Sequence, residues 1–395
     1  MIQVFADKKP AGILDYSEES KEFIFNYKEN NPISLTMPYS SKSYISHYNL
    51  HPIFDMNMPE GYLFELLKNL LIKEYGKIDD YILFSHLSKN IEGFLTYKEH
   101  NKIDNTLTLD SLINTTQNDI FSKLVEQFLQ NSAIAGVQPK VLVPLYDKAT
   151  LSTKEYIVKS FSSEFPHLAE NEYFCMSALK YAGIKTPKFW LAKNKKLFIM
   201  EKFTYQKDND SFYGFEEFCA LFGYNKEKKY RGSYEQIAKA IAQISTQASE
   251  DLKEFYKIIV MNYLLKNGDA HLKNFGMLYT ADKEQRFLAP AYDVINTVIY
   301  LPKDKPALNL AGKKVWFSQK ELIEFGVKNC LLTQKEAKDT IANSIEAIKK
   351  TIKDIEQYIS KNSDFKEFGD RFIKILTYSI ENIDTSSKDL SNAIF

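Results

Sequence analysis

Asn267-Gly268-Asp269-Ala270-His271-Leu272-Lys273-Asn274 is a short polar stretch between two apolar runs, YKIIVMNYLL (256–265) and FGML (275–278). Asp269 and Asn274 stand five positions apart. Phosphoryl transfer needs a carboxylate that orients an attacking hydroxyl and takes its proton. It also needs oxygen ligands for the magnesium that neutralises the phosphates. An Asp and an Asn at this spacing suit those two tasks. An Asn-Gly-Asp turn also suits a plain hairpin, so the residues around the stretch decide between the two.

The Asp-to-Asn interval matches the protein-kinase catalytic loop H-R-D-x-x-x-x-N, although the His-Arg pair before the Asp is missing here. Asp293 follows 19 residues after Asn274, inside the apolar run LAPAYDVI (288–295). A carboxylate buried there without a partner would be costly, and a metal ion would remove the cost. The interval leaves room for a short hairpin that brings Asp293 back as a second metal ligand. A turn-capping Asp is the alternative.

Upstream, strand alternation in EYIVKSF (155–161) puts Lys159 on an apolar face with Ile157 and Phe161. In the next helix Glu172 heads an apolar stripe of Cys175, Met176 and Leu179, at offsets 3, 4 and 7. Two charges aimed into apolar surroundings are best explained if they meet. A strand Lys held by a helix Glu is the kinase device for reaching the α- and β-phosphates. A snorkelling Lys and a solvated Glu are the plain account. Gly136, in NSAIAGVQPK (131–140) before the strand-like VLVPL, would let backbone N–H groups approach phosphate, or would simply make a turn. No GxG and no GxxxxGK[ST] occurs anywhere, which removes the dinucleotide fingerprint and the Walker loop. Each feature is ambiguous alone. Together they run in kinase order, from Gly136 through Lys159, Glu172, the hinge-like KLFIMEKF (196–203) and Asp269-x4-Asn274 to Asp293.

With 395 residues, 44% of them hydrophobic and 14% aromatic, the chain has ample material for a core. Lys+Arg and Asp+Glu number 51 each, so charge-driven binding to nucleic acid or anionic membrane is not indicated. Cys175, Cys219 and Cys330 are scattered and form no CxxC pair, as expected of reduced cysteines packed in a cytoplasmic protein. MIQVFADKKPAG at the start lacks the pattern of a signal peptide. The first ~100 residues read as short strands, with Phe23, Phe25 and Tyr27 on one face. A helix carrying Leu63, Leu66, Leu67 and Leu70 follows, and another is expected over Asp110–Phe128. Ala169–Ala182 reads as a helix stopped by Gly183. Ile341, Ile345, Ile348, Ile352, Ile355 and Ile359 are spaced 4, 3, 4, 3, 4, the seam of a helix packed on other helices.

NEYFCMSALKYAGIKTPKFWL (171–191), LFIMEKF (197–203), GFEEFCALFG (214–223), KKYRGSYEQIA (228–238), NGDAHLKNFGML (267–278) and LAPAYDV (288–294) resemble, in order, segments of the HipA-like toxin kinases of toxin–antitoxin systems. FDMNMPEG (54–61) and IEGFLTY (91–97) are similar to the small β-rich subdomain that precedes the kinase core. The resemblance implies an α+β, bilobal protein-kinase-like fold with a mostly helical C-lobe. Its divisions would be an N-terminal subdomain over 1–105, an N-lobe over 106–203 and a C-lobe over 204–395.

It implies a serine/threonine protein kinase that uses ATP and Mg2+. Asp269 would be the catalytic base, and Asn274 and Asp293 the metal ligands. Lys159, held by Glu172, would contact phosphates. Glu201 and Phe203 would meet adenine through backbone groups, and His271 and Tyr292 would line the nucleotide. Ala135, Gly136, Val137, Gln138 and Lys140 would belong to the phosphate-covering loop. Family members often carry an autophosphorylated Ser three positions before the loop glycine. Here that position is Ala133, and Ser132 is the nearest candidate for modification. The implied partners are an aminoacyl-tRNA synthetase as substrate and a helix-turn-helix antitoxin through which DNA is reached, with no membrane. A small-molecule phosphotransferase and a non-catalytic antitoxin-binding scaffold are the alternatives.

Overall fold

Alternating burial builds the first sheet: Ile2, Val4 and Ala6 point inward while Gln3 faces solvent. The structure is a computed structural model, and it describes residues 1–58, 68, 71–72, 76, 78–97, 108–116, 149–160 and 165–385. The chain forms two compact units, one of residues 1–169, 189–228 and 278–284, the other of 170–188, 229–277 and 285–395.

In the first unit, β1 (Ile2–Ala6), β2 (Lys9–Ser17), β3 (Glu22–Tyr27), β4 (Tyr44–His47) and β5 (Leu95–Thr96) form an antiparallel sheet in the order β4-β3-β2-β1-β5. Phe23 and Phe25 are buried, as their alternation predicts. Phe25 packs on Phe54 (ring centroids 5.6 Å), Phe54 on Phe84 (6.1 Å) and Phe84 on Tyr97 (4.9 Å), an aromatic core behind the sheet. Of the helix expected over Asp110–Phe128, the structure gives Leu109–Ile113, capped by Thr108. It ends there, because Thr115 and Thr116 lie outside any helix, and 117–128 fall outside the described residues. Leu63, Leu66, Leu67 and Leu70 also fall outside them.

A second antiparallel sheet contains β6 (Ala149–Ser152), β7 (Tyr156–Ser160), β8 (Phe189–Leu191) and β9 (Leu197–Glu201), in the order β6-β7-β9-β8. In β7 both Val158 and Lys159 are buried, on opposite faces, so this inner strand is covered on both sides.

The second unit is mainly helical. Helix Ala248–Leu264 buries Leu252, Phe255, Tyr256, Ile259, Val260 and Met261, and so runs through the middle of its unit. Helices Tyr234–Ile244, Gln319–Asn329, Gln334–Lys361 and Lys366–Glu381 pack against it. Helix Leu168–Tyr181 ends as expected: Gly183 is left-handed (φ +69) and the Ile184 N–H returns to Leu179 O at 3.1 Å. All three cysteines are free and buried. Among the described residues no helix is long and apolar enough to cross a membrane.

Candidate functional site

The polar stretch after helix Ala248–Leu264 is held by its own side chains. Lys266 adopts a left-handed turn (φ +56), and Asn267 then closes back on the helix. Its N–H reaches Asn262 O at 2.9 Å and its amide reaches Asn262 Oδ1 at 2.8 Å. Asn267 Oδ1 accepts the Asp269 N–H at 3.1 Å, an Asx turn that fixes the backbone carrying the carboxylate. The Gly268 N–H donates to Thr297 Oγ1 at 2.8 Å.

His271 caps a single turn, Leu272–Asn274. Its Nδ1 accepts from the Lys273 N–H at 3.3 Å, which assigns the ring proton to Nε2 in the neutral form. That Nε2 lies 3.9 Å from Asp269 Oδ1, beyond hydrogen-bonding distance. Asn274 Oδ1 accepts from the His271 N–H at 2.9 Å, while Nδ2 donates to Asp293 Oδ2, also at 2.9 Å. Residues 19 apart in sequence therefore meet. Strands Gly276–Tyr279 and Arg286–Leu288 lie between them, and the Ala289 N–H returns to Gly276 O at 2.9 Å.

Asp293 is half-buried and left-handed (φ +56). An Asp tolerates that region better than most residues, but the conformation still costs about 1–3 kcal/mol and clusters at functional sites. Tyr292 OH donates to Lys273 O at 2.7 Å and ties the two segments together a second time. Behind them, buried Asn171 pairs with the backbone of Asn296, its amide on Asn296 O at 2.9 Å and its Oδ1 on the Asn296 N–H at 2.8 Å.

A carboxylate and an amide in contact offer the hard oxygen donors that magnesium prefers. Asn274 Oδ1 keeps one lone pair beyond the one His271 uses. The donor set, Asn274 Oδ1 and the Asp293 carboxylate, fits a divalent cation in kind, while the amide here turns its nitrogen to Asp293. The Asp269 carboxylate is 40% exposed, and it accepts the Tyr230 hydroxyl at 2.8 Å. Sequence reasoning assigned Tyr230 no role. It lies 39 residues away, and its one sequence signal is an aromatic set among Lys228, Lys229 and Arg231.

Asp269, His271, Asn274, Tyr292, Asp293 and Glu172 belong to the second unit, and Lys159, Glu201 and Phe203 to the first. Lys159 is 5% exposed, with Nζ 5.7 Å from the Phe198 ring centroid. Glu172 is fully buried in its helix beside Cys175, Met176 and Leu179. Burial pushes the Cys175 thiol well up, and the neighbouring Glu172 adds to the shift. Glu201 ends β9 opposite Tyr156, and Phe203 packs edge-on against Phe215 at 5.4 Å. Ser132, Ala133, Ala135, Gly136, Val137, Gln138 and Lys140 lie outside the described residues.

Two family profiles match the chain, the HipA N-terminal domain over residues 2–98 and the HipA-like C-terminal domain over 132–355, the second covering more than half of the sequence. A Haemophilus influenzae protein named "Putative kinase" is 30% identical over 239 residues, covering 55% of this chain and 68% of that protein. The Sinorhizobium fredii protein "Putative kinase Y4dM" is 28% identical over 240 residues, covering 54% of this chain. The match spans 57% of the length of Y4dM, and a match to a second Sinorhizobium fredii protein, Y4mE, spans 61%. Among solved structures, HipA of Shewanella oneidensis MR-1, crystallised with HipB and operator DNA, superposes with a TM-score of 0.68. It is 15% identical to this chain and the match covers 97% of each, a likeness of fold: α+β, protein-kinase-like, with a sheet-rich N-terminal region. The chain belongs to the HipA-like family.

Proposed function

We propose that the chain is an ATP- and Mg2+-dependent serine/threonine protein kinase, the toxin of a toxin–antitoxin pair, with an aminoacyl-tRNA synthetase as acceptor. The observation that carries the reading is the 2.9 Å contact between Asn274 and Asp293 on the loop that bears Asp269. In this reading Asp269 accepts the proton of the acceptor hydroxyl as its oxygen bonds to the γ-phosphorus, the bond to the β–γ bridging oxygen breaks and ADP leaves. Asn274 and Asp293 hold the magnesium, and His271 keeps Asn274 oriented through its backbone N–H. Magnesium supplies neutralisation of the phosphate charge. Lys159 contacts the α- and β-phosphates. Glu201 and Phe203 meet the adenine, Tyr292 borders the nucleotide, and the loop with Gly136 covers the phosphates. The solved relative's complex with HipB and operator DNA supports an antitoxin partner through which DNA is reached.

The test is incubation with γ-labelled ATP, magnesium and a cell lysate, followed by identification of the labelled product. A labelled protein band that disappears with Asp269→Asn supports the reading, with a loss of ~10²–10⁴-fold expected. Label only in small molecules makes the chain a small-molecule phosphotransferase. Undiminished labelling by the Asn variant removes Asp269 from the role of base.

A further inference from the structure

The Asp269 carboxylate is already engaged by a hydroxyl. Tyr230 OH donates to its Oδ1 at 2.8 Å, the distance and geometry an acceptor hydroxyl needs before it gives up its proton. The phenol is held in that place from several sides. Its ring meets His271 edge-on at 5.2 Å, and Lys229 Nζ stands 5.2 Å from the ring centroid. The Leu272 N–H donates to Lys229 O at 3.1 Å, joining the tyrosine's own segment to the loop. On the far side Tyr230 is anchored to a rigid element. Ser233 caps helix Tyr234–Ile244 with a reciprocal bond to Gln236, and the turn between runs through Gly232 at φ +106. Only glycine takes that conformation freely, and a Cβ there would approach Gln236 Oε1 at 2.7 Å. Tyr230 itself is 45% exposed, so the phenol can leave the carboxylate toward solvent without unpacking a core.

We propose that Tyr230 is a gate on the base: its hydroxyl occupies the acceptor's place on Asp269 Oδ1 and keeps water out of that one position until a protein hydroxyl displaces it. The inference rests on Asp269 being the base. A water held at that oxygen in the acceptor's place would be poised to take the phosphoryl group instead, and water is far more abundant than any protein acceptor. A phenol is suited to exclude it. It satisfies the carboxylate as water would, yet it is tethered and bulky. The acceptor's binding energy must then cover the exchange of one hydroxyl for another, and the two bonds are of similar strength.

Removing the phenol oxygen leaves a space of about one water beside a carboxylate. Tyr230→Phe therefore raises ATP hydrolysis in the absence of any protein acceptor, by about tenfold, below the ~10²–10⁴ of a fully positioned base. The purified full chain is incubated with ATP and Mg2+ alone, and phosphate release is followed for wild type, Tyr230→Phe and Tyr230→Phe/Asp269→Asn. Binding of a fluorescent ATP analogue and a thermal melt check that each variant is folded. A merely structural tyrosine lowers turnover when cut back, so a gain that disappears in the double variant supports the gate. Unchanged or lower hydrolysis by folded Tyr230→Phe, in a chain whose wild type labels lysate proteins, overturns the gate and leaves the kinase reading standing. Stoichiometric phosphate on Tyr230 of the wild type, found by mass spectrometry, also overturns it and makes the phenol an acceptor. A gain that persists in the double variant, or no transfer by wild type to any acceptor, overturns the assignment of Asp269 and the gate with it.

Discussion

Gly268 has no room for a side chain: a Cβ there would collide with the Asp304 carboxylate and lie 2.8 Å from Lys305 O. Both neighbours belong to the wall that Thr297 and Asp304 build behind the loop, and the Gly268 N–H is itself bonded to Thr297. Gly268→Ala must push that wall back, at a cost of about 1–3 kcal/mol in an overpacked site. Urea midpoints should fall accordingly, and Asp269 should lose its setting, so labelling of the acceptor should fall as well. A variant with wild-type midpoint and activity would show that the wall yields freely.

Two positions earlier, Lys266 is 9% exposed with Nζ 5.0 Å from the Trp316 ring centroid, and burial lowers its pKa from 10.5 to about 7. Below pH ~7 the ammonium is charged in both states, and its desolvation weighs fully on the fold. Between ~7 and 10.5 the unfolded chain holds more protons than the folded one, so stability rises with pH across that window. Lys266→Met should flatten this rise and stabilise the protein near neutral pH, read from urea midpoints at pH ~7 and ~9. A variant that keeps the full slope would place the titration elsewhere. The approach of Asp293 to Asn274 was legible in the sequence because a polar group inside an apolar run demands a partner. Tyr230 was not, since nothing local distinguishes its hydroxyl from that of any surface tyrosine.

At the scale of elements, period is what sequence carries best. The isoleucine seam lies on the 28-residue helix Gln334–Lys361, where Ile341, Ile348 and Ile355 are at most 1% exposed. Ile345, Ile352 and Ile359 are half-buried at its edge. A straight helix of 3.6 residues per turn cannot hold all six on one line, and the alternate members face the core most directly. Ile348→Ala should therefore cost about 2–5 kcal/mol, and Ile352→Ala distinctly less, in urea unfolding. Equal losses at both positions would mean the seam is buried evenly.

Terminators carried as much information as period, since Gly183 ends its helix where a left-handed cap was expected. Several short strands escaped the reading, two of them in the second sheet. ATLS (149–152) and FWL (189–191) are too short for alternation to register, and they are strands because β7 and β9 offer them partners. The helix expected over Asp110–Phe128 is interrupted instead: Asn114 bonds back to Asp110 and the turn that begins at Leu109 closes at Ile113, while 117–128 lie outside the described residues.

For the whole molecule, charge sets what it can bind unaided. Non-specific DNA affinity comes from lysines and arginines that displace counterions from phosphates, and it scales with the number of contacts. This chain has 51 basic and 51 acidic residues, so any basic cluster sits in a field its own carboxylates oppose. KKYR (228–231) is such a cluster, and the proposed gate places it beside Asp269, where a protein acceptor rather than a duplex would arrive. In the proposed toxin–antitoxin pair, the helix-turn-helix partner would therefore supply the DNA contacts and this chain would ride on it. Gel shifts at physiological salt should show operator DNA bound by the antitoxin and supershifted when this chain is added, with no shift by this chain alone. The salt dependence should also match that of the antitoxin alone, because this chain would add no phosphate contacts to the complex. A tight, sequence-specific shift by this chain alone would refute the assignment, as would a salt slope that steepens when it joins.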